Sequence, residues 1–319
     1  GSDNAPMLDY RMDTFLSLCE TKSYTKTAAH LHLTQPSVTQ HIKFLEQYYG
    51  CQLFQYDGRR VEITAAGEYL HNKALILRAQ EMEVQKHLSG FHQQAPLLEI
   101  GITPSASFTP AMQILCGLKW AGTTPRVHLH VADTRTVLRE LQSGELDAAV
   151  LEGEIPAMLV ESTELYRERI IAVSDPEHAK ALYGCTLPQL LEEHLLLMKP
   201  GCGLRSLVRR ELNSRGLSFY DFASVLEVDS FWVLNELLRQ KAGFAFLLEC
   251  TAKQDLEEGR LGRIYIDTPS MYGKIYFVSM RERMDREPIA FVRNLLLQTP
   301  EELQKKVQEN LGTYFRHHF

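Results

Sequence analysis

Apolar residues recur at helical spacing in three segments close to the start of the chain, and a very short connection joins the last two. Thr34 is suited to cap the third segment, Pro36 lies in its first turn, where a missing N–H costs little, and Gly50 ends it. This pattern predicts three helices with a tight turn between the second and the third. Their expected bounds are Leu8 to Glu20, Thr25 to Leu31 and Gln35 to Tyr49.

A strand-turn-strand pattern follows the third helix. Leu53 and Phe54 on one side and Val61 and Ile63 on the other flank Asp57-Gly58-Arg59-Arg60, whose Asp-Gly pair is typical of a hairpin turn. We therefore expect a small two-stranded wing after the helices.

The segment from Ala65 to about Gln94 has a long helical pattern of apolar residues and contains no proline. Ala95-Pro96 ends it. A helix of this length is expected to connect the N-terminal segment to the rest of the chain and to pair two copies of the protein.

From Leu97 onward, short apolar strands alternate with helical segments, and this alternation predicts an α/β domain with mainly parallel sheets. The expected strands are Leu97 to Thr103, Arg126 to Val131, Asp147 to Leu151, Glu168 to Val173, Leu195 to Met198, Ser224 to Val228, Gly243 to Leu247 and Tyr276 to Ser279.

Two helices joined by a tight turn can place the second of them in the major groove of DNA, where every base pair shows a distinct pattern of donors and acceptors. Ala28 is small enough for a close crossing, and Leu31, Val38, Ile42 and Leu45 fall at core spacing. The outer face of the third helix is then expected to read base edges and meet phosphate through Gln35, Pro36, Ser37, Thr39, Gln40 and Lys43. Arg59 and Arg60 at the hairpin tip suit a wing that lies along the backbone or the minor groove.

The formal net charge of −6 argues against nucleic-acid binding through bulk positive charge. A local patch exists, because no acidic residue occurs between Glu20 and Glu46. Its basic residues and histidines are Lys22, Lys26, His30, His32, His41 and Lys43. The alternative is a small helical domain whose charged residues only face solvent.

The whole pattern resembles the LysR-type transcriptional regulators, densely from about Met7 to Ala79 and more loosely to about Gln298. The resemblance lies in Ser23-Tyr24-Thr25, Ala28, Leu31-His32-Leu33-Thr34-Gln35-Pro36-Ser37-Val38-Thr39, Ile42, Leu45-Glu46, Gly50, Leu53-Phe54 and Thr64-x-x-Gly67. Tyr56 and Asp57 depart from it, since the family commonly has Arg and a small or hydroxyl residue there.

The resemblance implies an all-helical winged helix-turn-helix N-terminal domain, then an α/β domain of two subdomains like that of periplasmic binding proteins, joined by two crossing strands. Glu168 to Val173 is expected to be the outgoing crossing and Ile264 to Thr268 the return. The expected divisions are a leader at 1–7, the winged domain at 8–65, the linker helix at 66–95, the effector domain at 96–300 and a C-terminal extension at 301–319. Subdomain I is expected at 96–168 and 268–300, and subdomain II at 169–267.

Ligands of open α/β sheets bind beyond the carboxyl ends of the strands, beside helix N-termini. Polar loops in these places supply the candidate effector contacts Thr103, Ser105, Ser107, Thr134, Cys202, Gly203, Ser230 and Phe231. Hydroxyls beside helix N-termini favour a small anion or carboxylate. The alternative is that each hydroxyl only caps its helix.

The six cysteines form no C-x-x-C pair and no Cys/His grouping at zinc spacing. We therefore expect reduced thiols, no metal site and no cofactor apart from a small-molecule effector. Cys202 between two glycines suggests a redox thiol, but the peroxide-sensing members of the family carry a second cysteine soon after the first, whereas the next one here is Cys250. A buried or merely polar Cys202 is the favoured interpretation.

No apolar run approaches the roughly 20 residues of a membrane-spanning helix, and no signal peptide follows Met7, so a cytoplasmic protein without a membrane partner is expected. The resemblance further implies a homodimer or homotetramer that binds promoter DNA and recruits RNA polymerase.

Two other functions compete with a regulator. An enzyme with a DNA-binding head is disfavoured, because the chain has no G-x-S-x-G, H-E-x-x-H, Walker A or dinucleotide-binding motif. A solute-binding or scaffold protein whose helical head binds another protein is the second alternative.

Overall fold

The protein is described by a computed structural model that covers residues 9–56, 61–90, 97–117 and 126–298. The chain divides into two compact units, residues 1–94 with 142–145 and residues 95–141 with 146–319. The predicted leader, the hairpin tip with Arg59 and Arg60, and the predicted C-terminal extension lie outside the described residues.

The N-terminal unit contains the three predicted helices, the wing strands and the long helix. The third helix has the predicted bounds, because side-chain and backbone signals fix both its ends: Thr34 Oγ1 accepts from the Ser37 N–H at 3.3 Å, and Gly50 adopts a left-handed φ of 68°. The elements are α1 (Tyr10–Thr21), α2 (Tyr24–His30), α3 (Gln35–Tyr49), β1 (Phe54–Tyr56), β2 (Val61–Ile63) and α4 (Ala65–Gly90).

Apolar side chains from all three short helices form one core. Phe15, Val38, Ile42 and Leu45 are almost completely buried, as is Ala28 on α2. Leu31, which was predicted to belong to this core, is only half-buried, because it lies just beyond the end of α2. The core fixes the crossing of α3 on α2.

The largest sheet of the second unit is a mixed sheet of seven strands in the described part of the chain. Three strands run parallel in the order β4 (Arg126–Val131), β3 (Leu97–Ile102), β5 (Ala148–Glu152), and the sheet continues through β13 (Met271–Met280), β6 (Val160–Ser174) and β10 (Ala245–Leu248), each antiparallel to its neighbour. A further strand, β11 (Gly262–Ile264), also pairs with β6.

Two lobes share the long strands β6 and β13. The first lobe contains β3, β4 and β5. The second contains β7 (Cys185–Thr186), β8 (His194–Met198), β9 (Ser224–Val228), β10, β11 and β12 (Ile266–Asp267), with β8 and β9 parallel. The helices are α5 (Pro110–Gly117), α6 (Thr134–Ser143), α7 (Pro176–Ala181), α8 (Leu187–Leu190), α9 (Gly203–Asn213), α10 (Phe231–Arg239), α11 (Glu249–Glu257) and α12 (Ile289–Leu296).

The predicted return crossing at Ile264 to Thr268 is wrong. These residues belong to the end of β11 and to β12, whereas β13 pairs with β6 along its whole length and also with β5. The reason is local: Pro269 has no N–H to donate to a sheet, whereas Met271, Gly273, Ile275 and Phe277 alternate as buried positions in a continuous strand. The predicted outgoing crossing, Glu168 to Val173, lies within β6.

Candidate functional site

The outward face of α3 carries the side chains predicted to read DNA. Gln35, Pro36, Gln40 and Lys43 are exposed, whereas Ser37 and Thr39 are half-buried. Val38, Ile42 and Leu45 on the opposite face are buried, so the helix is held by one side and presents the other.

The two hydroxyls on this face are partly engaged by the helix itself. Ser37 Oγ lies 2.8 Å from Thr34 Oγ1, and the Thr39 hydroxyl donates to the Gln35 carbonyl at 3.0 Å. The amide side chains of Gln35 and Gln40 carry both donors and acceptors that match base edges. The longer amides are therefore better placed for base contacts than the hydroxyls.

Polar contacts also fix α3 against its neighbours. His41 Nδ1 lies 2.8 Å from the Thr14 hydroxyl on α1. Burial and the nearby Arg11 lower the pKa of His41, so this ring is neutral at pH 7. Glu46 turns its carboxylate to the wing, where Oε1 accepts from the Leu53 N–H at 2.9 Å.

A cleft opens in the second unit where the parallel strands of both lobes end. Thr103 follows β3, Thr134 is the third residue after β4, Glu152 ends β5, Lys199 follows β8 and Asp229 follows β9. The cavity has a volume of about 620 Å³, within the range of small-molecule sites. Its lining residues are Thr103, Pro104, Ser105, Ser107, Phe108, Val131, Ala132, Asp133, Thr134, Thr136, Glu152, Met198, Lys199, Cys202, Asp229, Ser230, Phe231 and Trp232.

Seven of the eight predicted effector residues line this cavity, the exception being Gly203. Gly203 lies immediately beside it, because an added Cβ would meet the Glu152 carbonyl oxygen at 2.1 Å and Thr134 Oγ1 at 2.4 Å. The first turn of α9 thus packs directly against the end of β5.

Sequence reasoning missed the charged and most of the aromatic residues of the cleft. These are Asp133, Glu152, Lys199, Asp229, Phe108 and Trp232. The first four follow or end parallel strands, which is the rule that found the hydroxyls. The position of a charged residue directly after a parallel strand is therefore the sequence signal for these four residues, just as it is for the hydroxyls.

Glu152 is a buried carboxylic acid at the inner end of the cleft. Burial raises its pKa, because the hydrogen bonds from the Thr103 hydroxyl, the Leu204 backbone and the Ser105 hydroxyl only partly offset the loss of hydration. Through the Leu204 backbone, the carboxyl group accepts a hydrogen bond from the first turn of α9.

Asp133 serves the N-terminus of α6 in the same way. Its Oδ1 accepts from the Thr136 N–H at 2.9 Å, and its Oδ2 lies 3.3 Å from Lys199 Nζ. Burial of Asp133 raises its pKa, but the bonds to Thr136 and the ammonium of Lys199 outweigh burial and lower the pKa overall. Carboxyl groups of the protein thus already use two of the helix N-termini that were expected to attract an anion.

The predicted hydroxyls mostly have protein partners. Thr134 Oγ1 donates to the Glu152 carbonyl at 2.9 Å, Ser107 Oγ donates to the Pro104 carbonyl at 2.6 Å, and Ser230 Oγ accepts from the Val233 N–H at 3.4 Å. These contacts order the rim of the cleft. Each hydroxyl oxygen keeps further hydrogen-bonding capacity toward a ligand.

Cys202 is a buried thiol. Burial and the neighbouring Glu152 raise its pKa to about 12, so the reactive thiolate is not formed at neutral pH. The structure therefore gives no support for a redox role for Cys202.

Aromatic rings from both lobes face each other at the mouth of the cleft. The ring centroids of Phe108 and Phe231 are 5.8 Å apart, and Trp232 is 71% exposed. These rings form an apolar wall beside the polar end at Glu152.

Within the described part of the chain, no helix has both the length and the apolarity to cross a membrane. Two family models match: "Bacterial regulatory helix-turn-helix protein, lysR family" over residues 10–68 and "LysR substrate binding domain" over residues 91–300.

Individual relatives match along most of their length. The regulator BbuR of Bordetella bronchiseptica is 26% identical over 292 residues, covering 88% of this chain and 86% of that protein. The crystal structure of ArgP from Mycobacterium tuberculosis has a TM-score of 0.57 at 19% identity, covering 91% and 96% of the two chains. Full-length LysG of Corynebacterium glutamicum, with its bound effector Arg, has a TM-score of 0.51 at 22% identity, covering 94% and 97%. The two structures share the fold of this chain.

Proposed function

Since this chain belongs to the lysR family of bacterial regulatory helix-turn-helix proteins, it is a DNA-binding transcription regulator and not an enzyme, and we propose which of its residues bind DNA and which bind an effector. The exposed face of α3 reads promoter DNA through Gln35, Gln40 and Lys43, with Pro36, Ser37 and Thr39 packing along the groove. The cleft binds a small effector that alters this DNA binding.

The main support for DNA recognition by α3 is that this helix has one buried side and one exposed side. Val38, Ile42 and Leu45 are buried in the core on one side, while the long amides and Lys43 on the other side are exposed. Arg59 and Arg60 are proposed to add backbone contacts from the wing.

The charges of the cleft refine the class of effector. Lys199 and the α10 terminus at Ser230 favour an anionic group, as expected from the sequence, whereas Asp229 and Glu152 favour a hydrogen-bond donor. We propose a small metabolite that carries a carboxylate or similar anion together with an amine or hydroxyl, its apolar part against Phe108 and Phe231.

The protein is further proposed to act in the cytoplasm as a homodimer or a dimer of dimers, paired through α4. Two α3 helices would then meet half-sites about one helical turn of DNA apart. Effector binding shifts the closure of the lobes, changes the spacing of the heads, and thereby alters DNA bending and contact with RNA polymerase.

DNA reading is tested by fluorescence anisotropy with labelled DNA from upstream of the protein's own gene and with scrambled DNA of equal length. Gln35→Ala and Gln40→Ala should each weaken binding to the specific DNA by about tenfold or more, since a good bidentate base contact is worth about 1–3 kcal/mol of discrimination. Binding to scrambled DNA should change little.

Gln254→Ala is the matched control, because it removes the same side chain from an exposed position on α11. Equal loss in this control, or no preference of the unaltered protein for its own upstream DNA, would contradict the proposal. If the α3 variants lose DNA affinity but still bind ligand, the loss is due to missing DNA contacts and not to a general folding defect.

The effector class is tested by a thermal-shift screen of the full chain against amino acids, hydroxy acids, dicarboxylates and simple amines. A ligand that binds only the folded state raises the melting temperature. Hits should fall among compounds with both an anion and a donor group, and Lys199→Met and Asp229→Asn should each reduce the shift. A screen in which only simple amines bind would contradict this class.

A further inference from the structure

Two histidines and a glutamate meet on one face of the first lobe, outside the cleft. Glu99 lies on β3, and His128 and His130 lie on β4, which ends the main sheet in the described part of the chain. The parallel register pairs Glu99 with His128 and Gly101 with His130. Because alternate residues of a strand share a face, the three side chains point to the same side.

The three ligand atoms are close together. Glu99 Oε2 lies 2.9 Å from His128 Nδ1 and 2.7 Å from His130 Nε2, and all three atoms lie within 4.8 Å of one another. The imidazole rings meet edge to face with centroids 4.5 Å apart. Both rings therefore direct a nitrogen at one carboxylate oxygen.

Hydrogen bonds of the Glu99 backbone hold this part of β3 in place. The Glu99 N–H donates to Asp147 Oδ2 at 2.9 Å, and the Glu99 carbonyl accepts from the Asp147 N–H at 2.7 Å, which fixes β3 at this point. His128 and His130 are 61% and 38% exposed, so an ion can enter from solvent.

We propose that Glu99, His128 and His130 bind a divalent transition-metal ion such as Zn²⁺. Two imidazole nitrogens and one carboxylate oxygen form a recognised three-ligand set that leaves a fourth position for water. Ligand atoms of a tetrahedral zinc site lie about 3.4 Å apart at Zn–N and Zn–O distances of about 2.1 Å. Small side-chain rotations from the present distances create that spacing.

The sequence signal for this site is His-x-His on one strand beside a glutamate of the neighbouring strand, a pattern that contains neither C-x-x-C nor a Cys/His grouping at zinc spacing. His178 and Glu193 differ from this cluster. Their side chains lie 3.0 Å apart, but no third side chain that could bind a metal joins them in the described part of the chain. The inference goes beyond the proposed DNA and effector functions and does not depend on them.

The test uses the full chain, treated with EDTA and dialysed into metal-free buffer, and titrates ZnCl₂ by isothermal titration calorimetry. The chain has 12 histidines, so the difference between variants carries the result. Glu99→Gln, His128→Ala and His130→Ala should each weaken one zinc-binding event by tenfold or more. The Zn²⁺-induced rise in melting temperature should fall with it, because the ion binds the folded state.

His178→Ala is the matched control and should leave that binding event unchanged. Co²⁺ provides a spectroscopic check, since the visible absorption of a four-coordinate site should disappear in His128→Ala, a change at an exposed position that does not threaten the fold. Equal zinc affinity in the unaltered protein and in well-folded Glu99→Gln and His128→Ala would overturn the proposal and leave a hydrogen-bonded surface cluster only.

Discussion

Lys199 and Asp133 form an ion pair across the cleft, with Lys199 Nζ 3.3 Å from Asp133 Oδ2. Asp133 follows β4 in the first lobe and Lys199 follows β8 in the second. Beside them, the Arg135 N–H donates to the Gly201 carbonyl at 3.1 Å. Both contacts join the two lobes, so under the proposed function an effector that enters the cleft would meet these same groups and thereby act on lobe closure.

The two partners of this ion pair should differ in their effect on stability. Lys199 is partly exposed, and exposed ion pairs contribute at most about 1 kcal/mol. Asp133 also caps α6 through Thr136, and loss of such a cap costs about 1 kcal/mol more. Asp133→Ala should therefore lower the free energy of unfolding by about 1 kcal/mol more than Lys199→Met, as measured by urea denaturation at pH 7. Equal losses would argue against the cap.

Asp133 should also give a defined pH dependence. Its pKa in the folded protein is lowered, so its charge stabilises the fold above the unfolded pKa of about 3.9, and this contribution is lost as pH falls through the lower folded value. The difference in unfolding free energy between the unaltered protein and Asp133→Asn should thus be constant from pH 7 to 5 and shrink below pH 4. Urea denaturation at several pH values measures it, and a difference that grows on acidification would refute the assignment.

The parts of this structure that were predictable depend on neighbours in sequence. The bounds of α3 followed from Thr34 and Gly50, which act within one turn of the helix. The burial of Glu152 could not be predicted, because it results from β5, α9 and the loop after β3 meeting around it. The return crossing was misplaced for the same reason, since the partners of β13 lie more than a hundred residues away.

Glu152 should destabilise the fold when it ionises. Its pKa in the folded protein is raised, so the stability linked to its neutral form is complete below the unfolded pKa of about 4.3 and is lost as pH rises through the folded value. Glu152→Gln should therefore gain stability relative to the unaltered protein as pH increases from 4 to 8. Thermal melts across this range check the sign.

Glu152→Ala should behave differently, because it leaves the Thr103 hydroxyl without its buried partner and opens a cavity. An unsatisfied buried group costs about 1–3 kcal/mol. The melting temperature at pH 7 should drop well below that of Glu152→Gln. Equal melting temperatures for the two variants would mean that the hydrogen bond is dispensable.

Gly203 should be intolerant of any side chain. A Cβ there would lie 2.1 Å from the Glu152 carbonyl oxygen, which is backbone and cannot rotate away. Gly203→Ala should lower the free energy of unfolding by more than 2 kcal/mol, the range of costly overpacking. Gly216→Ala is the control, because no atom lies within 4 Å of its added Cβ and only its left-handed φ of 72° is strained, at about 1 kcal/mol. Urea denaturation compares them, and equal losses would show that crowding at Gly203 is relieved.

Lys43 should contribute to DNA affinity through phosphate and not through base reading. It is exposed on α3, one turn beyond Gln40, and a lysine that meets a phosphate adds about 0.9 to the slope of log affinity against log salt concentration. Lys43→Met should weaken binding to the protein's own upstream DNA and to scrambled DNA by the same factor, and should reduce the slope by about 0.9 for each Lys43 in the bound assembly. Anisotropy titrations between 50 and about 300 mM salt measure both quantities. Lys180→Met removes one exposed positive charge from α7 in the effector unit and should leave the slope unchanged. A loss confined to the specific DNA would instead assign Lys43 to a base edge.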